Sequence, residues 1–149
     1  MEKFIEGDEK WEKLVGSFIL AFGDIELVTY ILWPRYFPDK NPPNTFSDRV
    51  ENLLALLKKD LAIPSEVPLL LIESLKIALK RNTVAHQPVQ VQIFQHSITG
   101  ELFSELAISS KIKNEYITDV ELEGLSAKAK EIGRQLHLAL WAPTESLIG

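Results

Sequence analysis

Hydrophobic and polar positions divide the chain into four helical segments and one extended segment. Apolar side chains recur at three- and four-residue steps, the spacing of one helix face, over residues 8–33, 45–61, about 68–86 and a last segment that starts at "TDVE". The proline-rich stretch "WPRYFPDKNPPN" separates the first two segments, and "AIPSEVP" separates the next two. The pattern therefore predicts four helices joined by short, stiff connections.

Helix caps and apolar stripes can be assigned within these segments. Ser47 is a plausible N-cap of the second helix, and Thr118 and Glu121 have the spacing of a capping box at the start of the last one. The stripes comprise Trp11, Leu14, Val15, Phe18, Phe22, Ile25, Thr29 and Trp33 in the first helix, Leu53, Leu54, Leu57 and Leu61 in the second, and Leu122, Leu125, Ala129, Ile132, Leu136 and Leu140 in the last.

Between the third and fourth helices the period changes to strict alternation. Val89, Val91 and Ile93 alternate with polar residues, "SITGE" has turn composition, and an apolar segment resumes from Leu102 to Ile108. This pattern predicts a β-hairpin. The expected fold is therefore mainly α, a four-helix up-down bundle in a single domain over residues 1–149, with a β-hairpin inserted between helices 3 and 4.

Composition narrows the classes of function. The chain contains no cysteine, which excludes disulfides, thiolate metal sites and thiol nucleophiles. Its net charge of −5 disfavours a protein that coats nucleic acid non-specifically, although one local site stays compatible with it. The acidic N-terminal stretch and the charges, glycines and serines that interrupt every apolar run predict a cytoplasmic protein with no signal peptide and no membrane contact.

The stretch "LKRNTVAHQPV" places Arg81, Asn82 and His86 at the end of the third helix. On an ideal helix, positions four apart share a face, whereas positions five apart diverge by about 140°. Asn82 and His86 should therefore share a face, and Arg81 should point elsewhere. These residues either cap the helix, since basic side chains favour its C-terminus, or form a site that a frayed last turn or a second copy of the chain completes.

Glu26 lies on the apolar stripe of the first helix. A buried carboxylate needs a partner, and Arg81 is an obvious cation for it, with Asn82 or His86 as alternatives. The other interpretation is an edge position whose carboxylate faces solvent.

The motif "RNTVAH" resembles the signature of HEPN domains, an arginine and a polar residue followed by a short spacer and a histidine at the end of a bundle helix. "FGDIELVTYIL", "FSDRVENLLALLKK" and "LSAKAKEIGRQLHLAL" resemble the first, second and closing helices of these proteins. The resemblance covers most of the chain, but only the six-residue motif is specific. It implies a four-helix bundle of HEPN type.

The resemblance also implies a metal-independent endoribonuclease that needs no cofactor and cleaves RNA by attack of the 2′-hydroxyl at a homodimer interface. In this scheme Arg81 is the phosphate clamp, His86 the acid/base group, Asn82 the positioning amide and Glu26 a supporting residue. A toxin or antiphage effector with an antitoxin or other protein partner would fit. Pro88 stands where one toxin subclass carries a modified tyrosine, so that form of control is not expected.

Two further interpretations stay open. The chain can be a catalytically inactive HEPN-like module that dimerises and binds a partner protein or small ligand. Alternatively, residues 81–86 merely cap a helix of an unrelated bundle, which requires Glu26 to face solvent without pairing to them. The separated His96 and His137 do not predict a metal site, and the aromatic residues of "WPRYF" are expected to pack in a core or interface rather than to stack on bases.

Overall fold

The structure is a computed structural model that describes residues 2–110 and 115–141, with side chains from residue 9 onward. It is mainly helical, with four helices and one small antiparallel sheet. In chain order the elements are α1 (Glu2–Tyr36), α2 (Phe46–Leu57), α3 (Glu66–His86), β1 (Val89–Gln95), β2 (Leu102–Ser109), β3 (Tyr116–Ile117) and α4 (Asp119–Trp141).

The stripe predicted for α1 forms the centre of the core. All of its members are buried except Leu14 and Val15, which are half-buried. Phe22 contacts Phe18 of the same helix edge-to-face, and its edge-to-face contact with Phe46 joins α1 to α2. The apolar period was therefore sufficient to identify the face of α1 on which the other helices pack.

The predicted end of α1 was wrong by about one turn. Pro34 lies inside the helix, which continues to Tyr36 because the backbone N–H of Phe37 still donates to the carbonyl of Trp33 (2.9 Å). The Trp33 indole donates to the carbonyl of Lys40 (2.8 Å) and stacks on the Phe37 ring. These contacts stabilise the last turn, and they confirm that the aromatic residues of this segment pack within the fold.

The predicted cap and end of α2 also need correction. Thr45, not Ser47, is the N-cap, and its hydroxyl accepts a hydrogen bond from the backbone N–H of Asp48 (3.3 Å). The helix ends at Leu57, and Leu61 is fully exposed rather than part of the apolar face. Asp60 redirects the chain here, because its carboxylate accepts from the backbone N–H of Ala62 (2.9 Å) in a local turn.

The predicted hairpin is confirmed and gains a third strand. β1 pairs antiparallel with β2 from Val89 opposite Ile108 to Gln95 opposite Leu102, with Gly100 at φ 72° in the turn. Tyr116 and Ile117 pair with the other side of β2, so the strand order is β1-β2-β3. β3 was not predicted from the sequence, because two residues are too few to show alternation.

The start of α4 carries the predicted cap. The Thr118 hydroxyl accepts from the backbone N–H of Glu121 (3.2 Å), which is one half of the predicted capping box, whereas the Glu121 carboxylate pairs with Lys80 of α3 (3.3 Å). The stripe facing α1 is buried at Leu122, Ala129, Ile132 and Leu136 and half-buried at Leu125 and Leu140.

By length and composition alone, residues Glu9–Tyr36 of α1 can span a membrane, because an 18-residue window within them has a mean hydropathy of 1.7. This differs from the expectation that charged and small residues interrupt every such run. The core helix of a water-soluble bundle meets the same criterion, and Phe18, Phe22 and Ile25 of α1 are fully buried within the fold. The expected absence of membrane contact stays a prediction.

The end of α1 gives a prediction for alkaline pH. Burial and the hydrogen bond from the Tyr36 hydroxyl to Asp60 (2.6 Å) raise the pKa of Tyr36 to about 12. Because the folded-state pKa lies above the ordinary value near 10, this tyrosine stabilises the fold below pH 10, and its contribution is lost as the pH rises towards 12. Absorbance titration at 295 nm should show a component with a midpoint near 12 that Tyr36→Phe removes. A titration curve unchanged by this substitution would contradict the assignment.

Candidate functional site

The motif segment forms the last turn and a half of α3. Helix geometry persists to His86, and Gln87 leaves it in an extended conformation (φ −106°, ψ 142°) while its N–H still donates to the carbonyl of Thr83 (2.9 Å). Pro88 follows directly, and proline disfavours helical geometry in the residue before it. The imidazole of His86 is therefore exposed on a regular helical turn, not on a frayed one.

Asn82 and His86 line the same groove, as their spacing predicted. The groove has a volume of about 470 Å³ and lies between the second half of α3 and the strand end that carries Tyr116 and Ile117. More of its wall is apolar than polar, and its polar groups include the amides of Asn82 and Gln87, the imidazole of His86 and the carboxylate of Glu115. A few convergent polar groups on an apolar wall are typical of small-molecule and nucleotide sites.

Two lysines of α3 stand at the groove. Lys76 pairs with Glu73 (2.8 Å) on its own helix, and Lys80 pairs with Glu121 of α4. These exposed ion pairs are weak in water and exchange readily for other anions. Two lysines against the one carboxylate of Glu115 leave the groove able to present positive charge to a phosphate next to Asn82 and His86.

Arg81 does not line this groove. Its guanidinium turns towards α1, where Nη2 lies 3.5 Å from Oε1 of Glu26 and the group sits 5.0 Å from the centre of the Phe22 ring. Its Nε is buried and, among the described residues, has no hydrogen-bond partner. The two charged members of the motif thus face different surfaces of one chain.

Glu26 pairs with Arg81, as the sequence predicted, but it also has a second partner that the sequence analysis missed. Arg49 of α2 lies with Nη2 3.4 Å from the other carboxylate oxygen of Glu26. The third interpretation required Glu26 to be unpaired with residues 81–86, and the contact with Arg81 contradicts that requirement.

Arg49 is the only fully buried charged side chain among the described residues, with 0% exposure. Its Nε donates to the hydroxyl of Thr29 (3.1 Å), and Nη1 donates to the carbonyls of Pro43 (2.9 Å) and Asn44 (3.0 Å). The guanidinium also stacks 3.9 Å from the centre of the Tyr30 ring. A buried cation with this many partners is satisfied, so Arg49 has a structural role.

A signal for Arg49 was present in the sequence. Phe46, Arg49, Val50, Leu53 and Leu57 recur at helical steps, which places the arginine on the buried stripe of α2. An arginine and a glutamate on the apolar stripes of two neighbouring helices predict a buried ion pair.

The other histidines lie outside this site. His96 closes the hairpin turn, where its Nδ1 accepts from the backbone N–H groups of Ile98 (3.2 Å) and Thr99 (3.3 Å). His137 lies on α4 beside a larger apolar groove of about 830 Å³ between α1 and α4, which contains none of the predicted site residues. Within residues 2–110 and 115–141, no three metal-ligating side chains come together.

Comparison with protein-family models, with curated proteins and with solved structures finds no match for this chain.

The buried arginine gives a stability prediction. Arg49→Met removes the partner of one Glu26 oxygen and leaves the Pro43 and Asn44 carbonyls without their donor. We expect it to lower the free energy of unfolding by about 3 kcal/mol, measured by urea denaturation. Arg134→Met is the matched control, because Arg134 is exposed and, among the described residues, pairs only with Glu131 on its own helix. Equal urea midpoints for the two variants would show that the buried network does not stabilise the fold.

Proposed function

We propose that this protein is a HEPN-type, metal-independent endoribonuclease. The observation that carries the proposal is the placement of Asn82 and His86 side by side on the wall of an open groove, where α3 ends and two lysines stand nearby. The proposed fold subclass is the HEPN bundle, and the proposed setting is cytoplasmic, as a toxin or antiphage effector. An antitoxin or other protein partner belongs to the same proposal.

The chemistry follows from the residue types in the groove. The neutral imidazole of His86 takes the proton of a ribose 2′-hydroxyl, whose oxygen then attacks the adjacent phosphorus. The protonated imidazole returns the proton to the departing 5′-oxygen, which leaves a 2′,3′-cyclic phosphate. Asn82 lies one turn earlier on the same face and can donate to a phosphate oxygen or orient the imidazole.

Arg81 explains why a second copy of the chain belongs to the proposal. Within one copy Arg81 faces α1 and Glu26, whereas His86 faces the groove. A guanidinium that clamps the scissile phosphate beside His86 therefore comes from a neighbouring copy. Within one copy, Arg81 Nη2 lies 3.5 Å from Glu26 Oε1, which is long for a hydrogen-bonded pair. Glu26 keeps Arg49 as a partner when Arg81 turns to a phosphate.

RNA cleavage tests the proposal directly. Purified protein incubated with single-stranded RNA in EDTA should produce fragments with cyclic phosphate ends. We expect His86→Ala to lower the rate by about a hundredfold or more, because general acid–base catalysis contributes that much. Arg81→Ala should also lower the rate strongly, and Asn82→Ala should cause an intermediate loss.

The matched controls are His137→Ala and Arg134→Ala, which remove the same side-chain types from the exposed surface of α4. These two variants should cleave RNA at the wild-type rate. Absence of cleavage by the wild type, or equal rates for His86→Ala and His137→Ala, would rule out the assigned site.

The second candidate is a catalytically inactive HEPN-like dimerising module that binds a partner protein or a small ligand. The pairing of Arg81 with Glu26 and the Phe22 ring favours it, because this arginine is then a structural contact between α1 and α3. In that case Arg81→Ala would lower the urea midpoint, and neither this variant nor the wild type would cleave RNA.

A further inference from the structure

β1 forms an open edge of the sheet. Since the strand order is β1-β2-β3, β2 is the only described strand that pairs with β1, and no strand of residues 2–110 or 115–141 pairs with its other side. An exposed strand edge of seven residues presents a row of unsatisfied backbone donors and acceptors, which a protein normally protects with charge, proline or a covering element.

The hairpin register shows which backbone groups are unpaired. The N–H of His96 donates to the carbonyl of Glu101 (2.8 Å), so His96 points its backbone towards β2. Because this direction alternates along an antiparallel strand, the backbone groups of Val91 and Ile93 point outward from the free edge. Val89 and Gln95, at the ends of the strand, point the same way.

This edge carries no charge that would repel another strand. Residues 82–100 are 19 consecutive positions without Asp, Glu, Lys or Arg, in a chain whose net charge is −5. Two acidic copies repel each other over most of their surface, whereas an uncharged strand edge avoids that cost. The edge thus lacks the charged residues with which single chains prevent edge-to-edge pairing.

One face of the hairpin is also apolar where it is exposed. Ile108 and Leu106 begin this face in the core, and it continues outward through Val91, Leu102 and Ile93, which are 59%, 71% and 74% exposed. The apolar face is therefore continuous with the core but lacks a cover towards the hairpin tip.

We propose that the free edge of β1 pairs antiparallel with β1 of a second copy, centred on Gln92, to form one continuous sheet. This register places Val91 opposite Ile93 of the partner, and Ile93 opposite Val91 of the partner, as hydrogen-bonded pairs. The outward N–H and C=O groups are then satisfied, and the exposed apolar side chains of both copies meet on one face. The centre of the strand is self-complementary, because Val91 and Ile93 meet each other across the two-fold axis, while Val89 at the end of the strand lies opposite Gln95 of the partner.

The pairing is independent of the proposed ribonuclease site. In this register the two copies of Val89 lie about 20 Å apart along the paired strands, so the two motif segments are held apart. β1 pairing and the contact that brings Arg81 to His86 are therefore different interfaces. A variant that loses β1 pairing should keep the same rate of RNA cleavage per groove. A protein that does not cleave RNA should still pair through β1.

Molar mass and amide exchange test the pairing together. The wild type at about 100 µM should be an oligomer by light scattering after size exclusion, and Ile93→Lys should halve its mass, because a lysine on the edge of one strand meets the apolar Val91 of the other. Leu102→Lys is the matched control. It is equally exposed on the same face, but it lies on β2 away from the edge, so the oligomer should persist.

Hydrogen exchange reports on the edge without any substitution. In the paired form the amides of Val91 and Ile93 should be as protected from exchange as the inward-facing amides of Gln92 and Phe94. Dilution to the monomer should remove the protection of Val91 and Ile93 only. A monomeric wild type, or an oligomer in which the Val91 and Ile93 amides exchange at the unprotected rate, would overturn the proposal. Equal masses for the Ile93→Lys variant and the wild type would do the same.

Discussion

The carboxylate of Glu26 joins three helices, and the arrangement of the candidate site depends on it. One oxygen pairs with the fully buried Arg49 of α2 and the other with Arg81 of α3. Arg49 extends the network to the loop before α2 through the carbonyls of Pro43 and Asn44. A charge inside a bundle costs free energy unless it is paired, so this network permits few relative rotations of the helices.

The rotation of α3 decides what each motif residue can do. With Arg81 on the side of α3 that faces α1, helix geometry places Asn82 and His86 on another side, in the groove beside β3. The same contact that stabilises the bundle thus separates the cation from the imidazole in one chain. Under the proposed function, that separation makes the ribonuclease site a property of an assembly rather than of a single copy.

Periodicity predicted the larger part of the fold because long stripes leave little choice of face. The stripes of α1 and α4 and the alternation of β1 identified both helices and the hairpin from local pattern alone. The end of α1 past Pro34 and the two-residue β3 were missed because tertiary contacts, namely the Trp33 indole bond and the pairing with β2, determine them. At the site, helical spacing correctly separated Arg81 from Asn82 and His86, and the need to pair Glu26 correctly led to Arg81. Arg49 was missed although its position on the α2 stripe indicated burial.

The central claim is that Arg81 and His86 act on one phosphate only across two copies of the chain. It is tested most directly by mixing two variants, each of which lacks one of these side chains. Arg81→Ala and His86→Ala proteins, each with a strongly lowered ribonuclease rate, are combined under conditions that allow subunit exchange, and RNA cleavage is followed in EDTA. A mixed pair keeps one intact Arg81 facing one intact His86, so random exchange should restore about a quarter of the wild-type rate. A mixture that stays inactive although subunit exchange is demonstrated would contradict the account.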